Sequence, residues 1–475
     1  MSLGKINVTQ ALEAAESTLR EDASLSPQVR ALMQLLITVI GLLLDKLGVN
    51  SRNSSLPPSQ DPHRRRGRRG QGPGQKRPRG GQPGHAGSTL EPEPNPERIE
   101  TIDIDRRTLP PGRYTEAGFE ARQVIDIEVS RVVTEYRAQI LKDAAGNRWV
   151  AQFPEGVSAR VQYGAALKAQ AVYMSQQQLI PYERVRDYFT DQCGIALSAG
   201  SLFNFNQEAH ARLADFELIA IRALIAQAVL HADETGINID GEGLWLHCVA
   251  SLKWTLYFPH HHRGGEAMQA MGVLQHFQGI LCHDHWKPYF QFHCQHALCN
   301  AHHLRELERA WEQDGQQWAK KMQQLLLDIN AATDKAGGSL SETEASTWRR
   351  RYRALLTRAE HECPPPAPKP KATRGRVARS KARNLLERLR DYETETLRFM
   401  TDTQVPFTNN QGENDIRMTK VQQKISGCFR SFEGAQIFCR VRSYLSTCRK
   451  HGLAATHALQ ILFAGRLPDF IPKLE

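Results

Sequence analysis

The chain has 475 residues, 40% of them hydrophobic, which is enough for about three domains with packed interiors and excludes a wholly disordered or fibrous protein. Lys and Arg number 61 against 51 Asp and Glu, a net charge of +10. The excess is local: residues 51–90 hold nine cations against the single acid Asp61, residues 364–384 hold seven cations and no acid, and the remainder is net acidic.

Residues 1–50 read as two helices. In the second, Leu32, Leu36, Val39 and Leu43 fall on heptad-like spacing. That stripe fits a coiled-coil seam joining copies of the chain, and equally an amphipathic helix packed on its own chain. The apolar run 35–44 is closed by Asp45 and Lys46, well short of the ~20 residues a bilayer requires, so no membrane association is expected. Residues 51–98 are Ser, Pro, Gly and Arg with few apolar side chains, the composition of a disordered linker. Its cations Arg64, Arg65, Arg66, Arg68 and Arg69 suit DNA phosphates, because each neutralised phosphate releases a counterion; a solubilising tail is the alternative.

Residues 99–158 alternate apolar and polar side chains in short runs (99–104, 122–129, 132–140) between turn signals, which predicts a small sheet. Residues 159–227 read as helical, with a turn at Cys193 and Gly194 between two helices. That pair has the size of a helix-turn-helix but carries one Arg on its second helix, so a packing hairpin fits as well.

Residues 228–299 predict three antiparallel strands, the first leading to Asp233 and the second pair closed by Gly241, Glu242 and Gly243. A helix over 265–278 and a short apolar strand ending at Asp284 follow. Strand, strand, strand, helix, strand is the opening order of a ribonuclease H-like fold, in which the first and fourth strands are neighbours. Asp233 and Asp284 would then converge. Two carboxylates ~4 Å apart repel by about 4 kcal/mol at an effective dielectric near 20, so such a pair calls for a cation, and Mg²⁺ suits it.

Residues 300–402 read as long charged helices interrupted by a basic Pro-rich stretch, a helical insertion. Over 403–475 the core closes with a helix that supplies a third acid, Glu413, followed by Arg417, Lys420 and Lys424 at i+4, i+7 and i+11 on the same face. A carboxylate followed by cations suits a metal ligand beside a phosphate backbone; a capping box of Asn410 and Glu413 with a solvated basic face fits the same spacing. Glu234, Asp240 and Glu242 are decoys by pattern, since neighbouring strand residues face opposite sides and the latter two adjoin a turn. His260, His261 and His262 end a strand, where surface loop and DNA contact are both open.

His231, Ala232, Asp233, Glu234 and Thr235, then Asp284, then Asn409 through Glu413 to Arg417, with Lys424 to Gly427 and Cys428 to Ser431 downstream, resemble the DDE transposases of the insertion sequence 66 family. The resemblance runs from about Leu47 to Leu462. It implies a transposase that moves a DNA element by cut-and-paste or by copying. Asp233, Asp284 and Glu413 would be its catalytic triad, holding two Mg²⁺ ions for which Mn²⁺ substitutes. It also implies double-stranded DNA partners (element ends and target), a homo-oligomer on DNA, accessory proteins of the same element, and a cytoplasmic, nucleoid-associated location in a bacterial cell.

Family members often carry a zinc module built on CxxC pairs, but 99–158 contains no cysteine, so zinc is not expected there. Cys299 and His302, one helical turn apart, resemble the Cys-x-x-His element found after the second Asp in several DDE groups and read as a structural pair near the site rather than a zinc site. Nine irregularly spaced cysteines do not form a disulfide framework, and no apolar leader segment is read at the N-terminus, so a reducing cytoplasm is expected. The overall expectation is an α+β multidomain protein: N-terminal helices, a small β module and a helical domain preceding a ribonuclease H-like mixed sheet with a helical insertion. Two other functions stay open, a ribonuclease H-like nuclease that does not join strands and an inactive, transposase-derived DNA-binding protein.

Overall fold

The computed structural model describes residues 2–3, 6–21, 24–47, 50, 53–54, 90–366, 377 and 379–474. The linker arginines 64, 65, 66, 68 and 69 lie outside these residues, as does most of the Pro-rich stretch. Two short strands, β1 (Ser2–Leu3) and β2 (Ile6–Asn7), precede helices α1 (Val8–Glu21) and α2 (Pro27–Leu47). On α2, Leu32, Leu36, Val39 and Leu43 are all exposed.

The small β module is one hairpin, β3 (Ile140–Lys142) with β4 (Arg148–Val150). Residues 99–104 and 122–129 are not in strands, and Ile102, Val124 and Ile127 are exposed. Alternation alone does not make a sheet: among the described residues no packed layer buries the apolar side of these runs.

Helices α3 (Ala165–Val172), α4 (Tyr182–Cys193), α5 (Ala199–Arg212) and α6 (Ala214–Ile225) form the helical domain, with a π-helical turn, Tyr173–Gln177, after α3. Gly194 closes α4 in the left-handed conformation, as the sequence predicts, and Ser198 caps α5 through its hydroxyl. The buried face of this bundle (Val185, Leu202, Phe205, Leu213, Phe216) merges with Leu230, Val249 and Leu281 of the sheet, so α4 and α5 belong to one core with it.

The sheet comprises β5 (Val229–Ile239), β6 (Glu242–Ala250), β7 (Thr255–His260), β8 (Ile280–His283) and β9 (Gln295–Leu298), in the order β7-β6-β5-β8-β9. The first three strands pair antiparallel, whereas β8 and β9 run parallel to β5. This is the ribonuclease H-like arrangement. Asp240 and Gly241 turn β5 into β6 with φ of 51° and 89°, a hairpin turn that glycine favours. The helix predicted over 265–278 is only α7 (Gly265–Ala270), because Gly272, at φ 78°, ends the regular run.

Between β9 and the last acid lie α8 (Asn300–Glu312), α9 (Gln317–Lys335), α10 (Glu342–Glu362), α11 (Lys381–Asp391) and α12 (Glu393–Leu397). The insertion has its own core, with Trp318, Leu326, Ile329, Tyr352 and Leu386 packed out to Ile280 and Ala297 at the sheet edge. The chain closes with α13 (Asn410–Ser426), α14 (Phe432–Lys450) and α15 (Ala455–Phe463). Among the described residues no helix is long and apolar enough to cross a membrane.

Candidate active site

Strand pleating sorts the acids. Leu230 and Ala232 pack into the core under the helical domain, whereas Ile237 and Ile239 pack into the core under α13, so Asp233 lies on the α13 face and Glu234 on the other. In the parallel register His231 pairs with Cys282, and two further residues set Asp233 abreast of Asp284 on that face. Each carboxylate is fixed by one backbone N–H: Glu234 N donates to Asp233 Oδ1 at 2.9 Å and Trp286 N to Asp284 Oδ1 at 2.8 Å.

Helix α13 brings the third acid back after the insertion because it is pinned to β5 at both ends. At its start Asn409 is buried; its Nδ2 donates to Ala232 O at 2.9 Å, which fixes the amide orientation and leaves Oδ1 to accept from His231 Nδ1 at 2.7 Å. The Asn409 N–H also points at Cys299 Sγ, 3.1 Å away. Beyond its end, Phe429 N donates to Asn238 O at 2.9 Å and Asp240 N to Phe429 O at 2.8 Å. Seventeen helical residues at ~1.5 Å span about 25 Å, close to the length of strand between these anchors at ~3.3 Å per residue. Helix and strand therefore run side by side, with Glu413 in the first turn beside Asp233. Gly412 packs tightly here: a Cβ there would meet the Asn409 amide at 3.0 Å, so that side chain would have to give way slightly.

The capping-box alternative for Asn410 and Glu413 does not form. Asn409 is the cap residue, its side chain makes no cap hydrogen bond, and Asn410 is already helical, so Glu413 is one position too late. Instead Glu413 Oε1 lies 3.8 Å from both His302 Nδ1 and an Arg305 guanidinium nitrogen, and it is buried without a hydrogen-bond partner. Cys299 Sγ, His302 and Glu413 offer ligand atoms within 4.8 Å of one another. Burial and the neighbouring Arg305 hold the His302 imidazole down at about 4, so it is neutral at pH 7.

The electrostatics are those of a crowded acidic cluster. Burial first, then the charges of Glu234, Asp284 and Glu413, push the Asp233 carboxyl up to about 8 against the single backbone N–H that opposes them. Asp284 is likewise raised, chiefly by burial. Among the described residues the ligand atoms that all lie within 4.8 Å of one another are those of Cys299, His302 and Glu413; the three acids share a charged neighbourhood without their oxygens closing to that distance, and one buried oxygen of Glu413 is left unsatisfied, a carboxylate that suits a divalent cation with oxygen preference.

Glu234, predicted to be a decoy, lies on the opposite face of β5 from Asp233 yet stays within range of the charges of both aspartates, and it is not idle. Its carboxylate accepts from Arg263 at 2.7 and 3.0 Å and from the Tyr289 hydroxyl at 2.5 Å. Arg263 is stacked between Trp245 and Trp286, 4.8 and 4.2 Å from the ring centroids. Burial and the Asp284 charge still raise the Glu234 carboxyl, outweighing Arg263 and Tyr289. Glu234 thus ties the middle of β5 to the segment following Asp284. Neither Arg263 nor Tyr289 stands out in the sequence, since no spacing rule links them to Asp233. Asp240 and Glu242 are exposed in the β5–β6 turn. His261 stacks on Phe432 at 4.7 Å, and His262 lies 3.7 Å from Glu266. Arg417, Lys420 and Lys424 continue the Glu413 face of α13, with Lys420 Nζ 3.4 Å from Gly236 O.

Comparison with known families matches residues 160–437, more than half of the chain, to the model of the Transposase IS66 family. The chain belongs to this family. It is therefore a transposase, an enzyme acting on DNA, of a family whose general type is DDE and which uses divalent metal. The match takes in the helical domain, the sheet, the insertion and α13, so all three acids lie inside it. Residues 10–91 of the transposase match a second model, a family of unknown function (DUF6444). No curated protein matches the chain.

Proposed function

We propose that this transposase cleaves a phosphodiester at the ends of its DNA element and joins the freed 3′-hydroxyl to target DNA, with Asp233, Asp284 and Glu413 as the metal-binding acids. The observation that supports the reading is the pinning of α13 to β5 through Asn409, which brings the first turn that carries Glu413 to the strand that carries Asp233, close enough for the charges of Glu413 and Asp284 to raise the Asp233 carboxyl. These three carboxylates would hold two Mg²⁺, or Mn²⁺, which supply activation of the attacking oxygen and charge neutralisation at the leaving one.

The chain's own residues do the rest by positioning. Asp233 would have to be deprotonated to hold a cation, its proton passing to solvent; Asn409 fixes the first turn of α13; the Glu234, Arg263 and Tyr289 cluster fixes the segment that follows Asp284. Arg417, Lys420 and Lys424, with the linker arginines, neutralise the DNA backbone. No covalent enzyme intermediate is required, since each displacement exchanges one phosphorus–oxygen bond for another. Assembly as a homo-oligomer on element ends and a cytoplasmic, nucleoid-associated location complete the reading.

The test is strand transfer with element-end DNA in Mg²⁺. The full-length transposase is expected to give joined products, and Asp233→Asn is expected to bind the same DNA while producing neither cuts nor joints. Cuts without joined product would favour a ribonuclease H-like nuclease. Metal-independent binding with no cleavage would favour an inactive DNA-binding protein. Undiminished cleavage by Asp233→Asn would refute the assignment of the acids.

A further inference from the structure

Across α13 from Glu413 lies a cavity of about 380 Å³, bounded by α13, α14 and the π-helical turn, into which Gln177, Asn414, Asp415, Arg442, Arg449 and Lys450 project. Its basic side is built by α14, where Arg442, Ser446 and Arg449, at i, i+4 and i+7, share one face. Lys450 is already engaged: its ammonium donates to Asp415 Oδ2 at 2.7 Å and to the carbonyls of Ser251 and Trp254 at 2.8 and 3.3 Å. Asp415 and Lys450 cancel, which leaves the charges of Arg442 and Arg449.

Arg442 is held half-used. Its Nη1 donates to Gln176 O, Gln177 O and Gln177 Oε1 at 3.2, 3.1 and 2.5 Å, whereas its Nε is buried without a partner. Nη1 is the nitrogen on the Cδ side of the guanidinium. Anchoring it holds the guanidinium in place at the cavity wall, with Nε turned into the protein. A buried N–H left unpaired is costly, and burial already weakens the hold of this guanidinium on its proton. A tetrahedral oxyanion in the cavity would neutralise this guanidinium, and Arg449, exposed on the same face, supplies a second cation to it.

We propose that Arg442 and Arg449 form a phosphate-binding site that takes one backbone phosphate of the DNA strand running past the first turn of α13. Asn414 and Asp415 directly follow Glu413, and the Tyr257 hydroxyl donates to Asp415 O at 2.7 Å, so the site is fixed rigidly to the third acid. A phosphate held there sets the register of the strand relative to the acids without touching a base, which is positioning and not sequence readout. The assignment rests on the transposase reading, because DNA is named as the source of the phosphate.

The experiment compares the full-length transposase with Arg442→Gln, Arg449→Gln and the double variant. The probe is a duplex carrying the element end, read by phosphate-ethylation interference and by the salt dependence of affinity. One interference position is expected to disappear in each variant while the others persist, and the slope of log K against log salt is expected to shrink by about 0.9 per lost phosphate contact. Arg449 is exposed and its side chain ties down no other element among the described residues, so Arg449→Gln keeps the test decisive if Arg442→Gln fails to fold. An unchanged interference pattern and slope would overturn the site. Inorganic phosphate is the second probe: if it raises the melting temperature of the wild type but not of Arg449→Gln, and DNA contacts are the same in both, the cavity serves free phosphate and the DNA assignment is overturned. Failure of the transposase reading shows separately, as absence of metal-dependent cleavage by the wild type.

Discussion

Replacing Asn409 by Ala removes the side chain that joins the start of α13 to β5. Two hydrogen bonds go, those with His231 Nδ1 and Ala232 O, and both partners are left buried at the strand end next to Asp233. Each unsatisfied buried group costs ~1–3 kcal/mol, so a destabilisation of about 3 kcal/mol is expected. The effect on chemistry should be larger than that on stability. The first turn of α13 loses its registration, and a misplacement of ~1 Å in a positioned group lowers a rate about a hundredfold. Urea unfolding measures the first effect and single-turnover cleavage the second. The control is Leu326→Ala in the core of the insertion, where a buried leucine deletion costs ~2–5 kcal/mol far from the acids and should leave cleavage near wild type. If Asn409→Ala and Leu326→Ala cleave equally well, or if Asn409→Ala unfolds at the wild-type urea concentration, the pinning argument is wrong.

The raised Asp233 carboxyl predicts a pH dependence. The native state without metal holds this proton up to about pH 8, whereas the unfolded chain releases it near 4, so the contribution to stability is present below the unfolded value and is lost as pH rises towards 8. Thermal melting should accordingly show Mg²⁺ stabilising the protein more at pH 8.5 than at pH 6, with proton release on binding detected by calorimetry in buffers of different ionisation enthalpy; Asp233→Asn should lose both effects. Glu234→Ala leaves Arg263 and Tyr289 without their acceptor; breaking a buried pair costs ~3–5 kcal/mol, and because Arg263 is two-fifths exposed about 2–3 kcal/mol is expected in urea unfolding. Glu413→Gln should abolish cleavage while leaving DNA affinity within a factor of about two, whereas Arg417→Ala should weaken DNA binding and reduce its salt slope by ~1 in a fluorescence-anisotropy titration.

Much of the architecture could be read from local pattern. The strand order and the hairpin between β5 and β6 follow from runs whose period and turn residues agree with their tertiary surroundings, although the turn falls at Asp240 and Gly241 rather than over Gly241, Glu242 and Gly243, and Asp233 lies within β5 rather than at its end. Where pattern and packing disagree, packing decides. Residues 99–139 alternate like strands but face no second layer, and β9 (Gln295–Leu298), too short to announce itself, forms because β8 offers it a parallel edge. The site divides in the same way. Glu413 could be picked out by its neighbours in sequence, but spacing points to Asn410 as a cap and gives no sign that the amide of the residue before it, Asn409, folds inward to His231 and Ala232. The roles of Glu234, Arg263 and Tyr289 were equally hidden, because the three meet only once β5, the turn after β7 and the segment after β8 have been brought together.

The most direct measurement is anomalous diffraction from Mn²⁺-soaked crystals of the transposase bound to element-end DNA. Manganese peaks contacted by Asp233, Asp284 and Glu413 together are the predicted result. A peak held by Cys299, His302 and Glu413, with the two aspartates bare, would contradict a shared catalytic centre of the three acids.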